Sequence, residues 1–253
     1  METAFNAIIK YLPPRKLLLQ KLIESLYPPL CLGCSTEIST DGFCGACWQE
    51  THFINGLVCD ACGTPLLGDA NTTAYCDTCL NEPPSWQRGR AAAIYNGGAA
   101  KSVMALKYAD RWDLAKPLAK FMLATDPSVL ETDLVAPVPL HWSRLLRRKY
   151  NQAALLSQTI SDTLDKPHIP DLLVRRKRTT IQKSMDREQR FDNLKDAFDL
   201  NARFGRRVQG KSVLLIDDVM TTGATLSACA KALKAAGSGD VNVLVFARVA
   251  KPL

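Results

Sequence analysis

Asp217 and Asp218 are two adjacent carboxylates at the end of an apolar run, followed within a few residues by hydroxyls and a glycine. They lie in Val213-Leu214-Leu215-Ile216-Asp217-Asp218-Val219-Met220-Thr221-Thr222-Gly223-Ala224-Thr225-Leu226. The run before them is β-rich, and the apolar residues after the loop (Leu226, Cys229, Ala230, Leu233) recur at helical spacing, so the stretch reads as strand, loop, helix. That order leaves the loop at the carboxyl edge of a parallel sheet, with helix N-terminal amides aimed into it, where phosphate is favoured. The carboxylates sit one step back, at the strand's end, where they can accept hydrogen bonds from vicinal hydroxyls about one sugar ring away. The expected ligand is a ribose phosphate. An ordinary turn with acidic and threonine caps accounts for one or two of these residues and leaves the rest unexplained.

A second constellation is made of thiols. Cys31-x-x-Cys34, Cys44-x-x-Cys47, Cys59-x-x-Cys62 and Cys76-x-x-Cys79 supply eight sulfurs in under fifty residues. A two-residue spacer lets both sulfurs of a pair turn toward one ion, so eight thiolates make two tetrahedral, closed zinc sites of the structural kind. The simplest assignment is sequential, with Cys31, Cys34, Cys44 and Cys47 on one ion and Cys59, Cys62, Cys76 and Cys79 on the other; an interleaved assignment also satisfies the count. Gly63, directly behind Cys62, suits a knuckle that needs positive φ. A segment this poor in large apolar residues depends on metal for its folding. His52 reads as a surface residue beside a complete cysteine set. Trp48, Phe53, Tyr75 and Trp86 are either the module's small core or stacking surface for a nucleic acid.

The elements that position these groups follow from periodicity. The 253 residues, 47% of them hydrophobic, have room for one sizeable α/β core and a small module. Leu18, Leu19, Leu22, Ile23 and Leu26 form an amphipathic helix over about 15–26 within an N-terminal segment 1–28. The cysteine module takes 29–82, Asn81-Glu82-Pro83-Pro84-Ser85 is the linker, and the larger domain takes 86–253. In that domain strands are expected at 89–95, 134–140, near 172–174, at 213–216 and at 240–250. Gly97-Gly98 reads as a turn, with helices at 102–108, 114–123, 152–164 and 224–236. The alternation is that of a parallel sheet with covering helices. Cys229 falls on the apolar face of the last helix and reads as core. No apolar run approaches the roughly eighteen residues of a membrane span, and no secretory signal opens the chain, so the cytoplasm is the expected compartment. Nine cysteines in a reducing compartment point to metal instead of disulfides. The net charge of +7 is concentrated between 140 and 211, where 17 Lys and Arg face 8 Asp and Glu. Such a region suits pyrophosphate, a nucleic-acid backbone or a solvated face.

Residues 213–226 resemble the phosphoribosyl-pyrophosphate (PRPP) signature of type I phosphoribosyltransferases. In that family the acids hold the ribose 2′ and 3′ hydroxyls and the loop wraps the 5′-phosphate, which implies those roles for Asp217, Asp218 and for Thr221, Thr222, Gly223, Ala224 and Thr225. Together with Pro137-Val138-Pro139-Leu140, Arg144, Arg148, Asn151 and Gln152, and with the cysteine module and its Pro-Pro exit, the chain resembles the ComF family of competence-associated phosphoribosyltransferase-like proteins. Lys149 and Tyr150 stand where that family commonly has Gly and Phe. The resemblance implies a type I phosphoribosyltransferase-like α/β fold preceded by a double zinc ribbon, with Arg144 and Arg148 toward pyrophosphate and Mg²⁺ carried with PRPP. It also implies a mobile loop bearing Arg178, Thr180, Gln182, Arg187 and Asn193.

Two classes of function follow. One is a phosphoribosyltransferase that displaces pyrophosphate from C1 of ribose, with Asp217, Asp218, Arg144 and Arg148 as its working residues. An ordinary salvage enzyme for a nucleobase belongs to this class. The other is a non-catalytic factor that handles single-stranded DNA beside the DNA-uptake machinery. A hybrid, in which PRPP occupancy regulates DNA handling, accommodates every residue named. No stretch is assigned as a hood reading a nucleobase acceptor.

Overall fold

The computed structural model describes residues 28–70, 72–176, 189, 194 and 196–251. In chain order its elements are α1 (Gly45–Gln49), α2 (Asp77–Asn81), β1 (Arg88–Ile94), α3 (Gly97–Tyr108), α4 (Ala115–Leu123), β2 (Leu134–Pro137), α5 (Trp142–Arg148), α6 (Gln152–Leu164), β3 (Leu173–Arg175), β4 (Phe198–Leu200), α7 (Gly205–Val208), β5 (Val213–Met220), α8 (Ala224–Ala235) and β6 (Val241–Arg248). The expected helix over 15–26 and the loop residues Arg178, Thr180, Gln182, Arg187 and Asn193 lie outside the described residues.

Strands β1, β6, β5 and β2 form one parallel sheet in that order. The two central strands are apolar almost throughout because helices cover both of their faces. Val213, Leu215, Val243 and Val245 pack toward Leu226, Cys229, Ala230 and Leu233 of α8. Leu214, Ile216, Leu244 and Phe246 pack toward Leu118, Met122, Leu156 and Ile160 of α4 and α6. Cys229 is fully buried in the first of these layers, as its helical position implies.

The expected turn at Gly97-Gly98 is instead the opening of α3, which starts five residues earlier than the apolar pattern places it. The glycines are there for close approach: Gly97 has φ +44°, and a Cβ on it would collide with the Glu50 carbonyl. Strand β5 runs past Ile216 to Met220, so Asp217 and Asp218 lie inside the strand, with Asp217 opposite Val245 and Val219 opposite Ala247. Strand β2 stops at Pro137, short of the expected Leu140. Strand β3 pairs antiparallel with β4, a three-residue partner too short and too polar in its surroundings to announce itself.

Both outer strands of the sheet are covered. Along β1, Ile54 N–H donates to Ala92 and Ile94 N–H to the His52 carbonyl, so the cysteine module lies antiparallel on that edge. Along β2, Val135 N–H donates to Pro167 and Ile169 N–H to Val135. Covered edges leave no open ladder for another chain to extend. Arg90, almost wholly buried, ties the module down by reaching Asp60 and Asp126, each at 2.7 Å.

Candidate functional site

Because alternate residues of a strand face opposite sides, the two acids straddle β5. Asp218 is 6% exposed and meets the Lys107 ammonium, at the end of α3, at 3.0 Å. Asp217, half-buried, leaves the other face and accepts a hydrogen bond from the Asp218 N–H at 2.9 Å. Burial and the neighbouring Asp218 charge push the Asp217 carboxyl up to about 7, against the opposing pull of Lys107 and Arg175. Arg175 comes from β3, with its guanidinium 5.1 Å over the Phe198 ring, and burial followed by the nearby Arg144 charge lowers its pKa.

Beyond the acids, Thr221 and Thr222 lead to Gly223 at φ +80°, a left-handed residue that turns the chain into α8. Gly223 carries no side chain to cap the helix; Thr222 Oγ1 accepts the Ala224 N–H at 3.4 Å, and the turn presents the following amides to the loop. The turn is seated on Trp86: a Cβ on Gly223 would lie 2.9 Å from the indole. Helix α5 splits its arginines. Arg144 lies toward Arg175, whereas Arg148 stacks 5.0 Å over Tyr108, donates to the Tyr108 hydroxyl at 3.1 Å and donates to Gln152 at 3.2 Å. Lys107 and Arg175 thus act on Asp217, Lys107 also pairs with Asp218, and Arg144 lies near Arg175, a gathering of positive charge beside the acids that suits a polyanion. Of these, Lys107 and Arg175 were not legible as site residues. One is a helix-terminal lysine and the other looked like the first member of a basic run.

The thiols gather as two quartets in sequential order, Cys31, Cys34, Cys44 and Cys47, and Cys59, Cys62, Cys76 and Cys79, the sulfurs of each lying within 4.8 Å of one another. The Cys34–Cys44 and Cys62–Cys76 sulfurs are 3.7 Å apart, close to the roughly 3.8 Å edge of a tetrahedron with zinc–sulfur bonds of about 2.3 Å. The donor set therefore fits zinc. Gly63 has φ +69° behind Cys62, as the knuckle requires. His52 is exposed, hydrogen-bonded to Asn96 and outside both quartets. Of the aromatic residues, Phe53 stacks on Phe121 at 5.0 Å and Trp86 is buried, while Trp48 and Tyr75 keep about half their surface.

The second quartet lies next to the loop. A cavity of about 430 Å³ between them is lined by Cys62, Cys76, Trp86, Thr221, Thr222 and Arg248 among others. Arg248, from the end of β6, donates to the Cys62 carbonyl, and Trp86 Nε1 donates to the Ala61 carbonyl at 2.6 Å.

Residues 22–80 match the double zinc ribbon domain and residues 151–252 the phosphoribosyl transferase domain. Competence protein F of Haemophilus influenzae is 30% identical over 225 residues, which cover 87% of this chain and 90% of that protein. This chain belongs to the ComF family. DNA utilization protein YhgH of Escherichia coli is 30% identical over 229 residues, covering 87% of this chain and 97% of its own, and competence protein ComFC of Bacillus subtilis is 24% identical over 81% of this chain and 88% of its own. The ComF architecture of a parallel sheet with flanking helices behind a double zinc ribbon is the one described above. Among the described residues no helix is long and apolar enough to cross a membrane.

Proposed function

We propose that this ComF protein binds PRPP at the carboxyl edge of β5 and uses that site in a cytoplasmic step of DNA utilisation. The observation that carries the reading is the acid pair set one short turn before the N-terminus of α8, with Lys107 and Arg175 beside it. Ribose hydroxyls donate to Asp217 and Asp218, and the 5′-phosphate takes the amides and hydroxyls of Thr221 to Thr225. The pyrophosphate lies toward Arg144 and Arg148, with Mg²⁺ held largely by the ligand's own oxygens. Loss of pyrophosphate from C1 needs positioning and charge stabilisation, which these groups are suited to supply. In this reading residues 29–82 are the ribbon unit and 86–253 the PRPP-binding unit.

The names of the relatives, competence protein and DNA utilization protein, support the cellular role. Helix α5 supports single-stranded DNA as partner: it buries none of its residues, exposes 65% of Trp142, and carries Arg144, Arg147 and Arg148 at the rim of the site. Exposed aromatic rings among cations are what a base-stacking, backbone-tracking surface needs. Eight cysteines gathered into two zinc quartets suit a reducing compartment.

Calorimetric titration with PRPP and Mg²⁺, without and with a thymidine oligomer, tests the reading. Binding to the zinc-loaded protein, abolished by Asp217→Asn with Asp218→Asn, is the expected result. The oligomer should bind with an affinity that falls steeply with salt. An intact protein that ignores PRPP would refute the ligand assignment.

A further inference from the structure

Asp218 and Lys107 form a closed pair in the very place a ribose has to enter. The carboxylate is 6% exposed, the ammonium is 3.0 Å away, and Lys107 also bears on Asp217 across the strand. Its neighbour in sequence, Tyr108, is the ring on which Arg148 rests. A hydroxyl that claims Asp218 takes away part of what neutralises Lys107. Leaving this ammonium, 19% exposed, short of its partner is unfavourable unless another anion replaces it. In the PRPP reading the 5′-phosphate is already engaged by the amides and hydroxyls of the loop that starts at Thr221, directly after β5. Only an anionic group on the C1 side of the sugar, facing α3 and α5, restores the balance.

Building on the PRPP reading, we propose that Lys107 is the specificity residue of this site: it locks Asp218 in the empty protein and releases it only to a ribose 5-phosphate that also carries a 1-pyrophosphate. The lysine transfers its ammonium from the carboxylate to the pyrophosphate oxygens, so ribose capture and pyrophosphate capture become one event. Ribose 5-phosphate alone would have to bind against the intact pair. Free pyrophosphate would find the cation but leave the acids unused.

The test compares two ligands on three variants. Affinities for PRPP with Mg²⁺ and for ribose 5-phosphate are measured by calorimetry on the zinc-loaded wild type, Lys107→Gln, Lys107→Met and Lys107→Arg. The glutamine keeps a donor to Asp218 without the charge, which guards against a merely unfolded variant. The wild type should prefer PRPP by at least a hundredfold. In Lys107→Gln and Lys107→Met PRPP should weaken at least tenfold while ribose 5-phosphate binds as well as before or better, so the preference collapses. Lys107→Arg should restore it. A preference ratio unchanged in the Gln and Met variants, with both ligands weakened alike, would reduce Lys107 to a structural part and overturn the proposal while sparing the PRPP site. A wild type that binds neither ligand would overturn both.

Discussion

At the scale of single residues, the Asp217 carboxyl lies at about 7, whereas an aspartate in the unfolded chain titrates near about 4. Between those values the folded protein holds one more proton than the unfolded chain, so this group's contribution to stability falls as pH rises through the window. Above it the fold carries an anion that burial and Asp218 both oppose. Asparagine at 217 keeps an oxygen for the Asp218 N–H and has no charge to lose. Asp217→Asn should therefore gain on the order of 2 kcal/mol on the wild type in chemical denaturation as the pH is raised from about 5.5 to about 8. Equal stability at both pH values would place the Asp217 carboxyl in the ordinary range. The residue is retained against its own cost, which is what a binding acid looks like from the side of stability.

At the scale of elements, α5 shows how a departure from the family pattern is absorbed. Lys149 stands where ComF sequences commonly have glycine, and it adopts φ +66° at the helix C-terminus. The backbone there keeps the left-handed turn that glycine serves, and the lysine bears the Cβ strain, roughly 1–2 kcal/mol. Its exposed pair with Asp110 at 3.1 Å returns less than about 1 kcal/mol. Lys149→Gly should thus raise the melting temperature by about 1–3 °C, the shift that about 0.5–1 kcal/mol produces in a chain of this size. A lower melting temperature would mean that the ion pair outweighs the strain. The same balance explains what could be read from the chain beforehand. Strand β6 and the helices α6 and α8 were legible to within a residue or two, and β5 in its apolar first half, because burial on both faces or one face imposes an unbroken apolar pattern. The zinc quartets were legible because ligand spacing is a covalent constraint. The early start of α3 was hidden, since Gly97-Gly98 answers to Glu50 and Thr51, contacts that no local pattern contains. Strand β4 was hidden too, as three residues are too few for a period. Of the candidate site, the acids and the 221–225 loop stood out as a contiguous motif, whereas Lys107 and Arg175 are brought to the acids by the fold alone.

At the scale of the whole molecule, the double zinc ribbon lies along the sheet's edge and under the site. Segment His52–Ile54 closes the β1 edge, Arg90 joins Asp60 to Asp126, and Cys59, Ala61, Cys62 and Cys79 share a core with Leu215 and Val243. Trp86 is the shortest route from metal to ligand, since its N–H is bonded to Ala61 inside the Cys59–Cys62 knuckle and its ring supports Gly223 at the head of α8. The loop at 221–225 thus rests on a residue whose N–H is bonded inside the Cys59–Cys62 knuckle. Zinc-loaded Trp86→Phe keeps a ring beneath Gly223 but loses the donor to Ala61, a bond worth about 0.5–1.5 kcal/mol. PRPP should bind this variant about two- to tenfold more weakly, with both zinc ions still present by elemental analysis. Removing the second zinc with a chelator should weaken PRPP further than Trp86→Phe does, because the knuckle, Arg248 and the indole then lose their common anchor. If chelation released zinc and left PRPP affinity untouched, the ribbon would be a cover on the sheet edge with no part in shaping the loop.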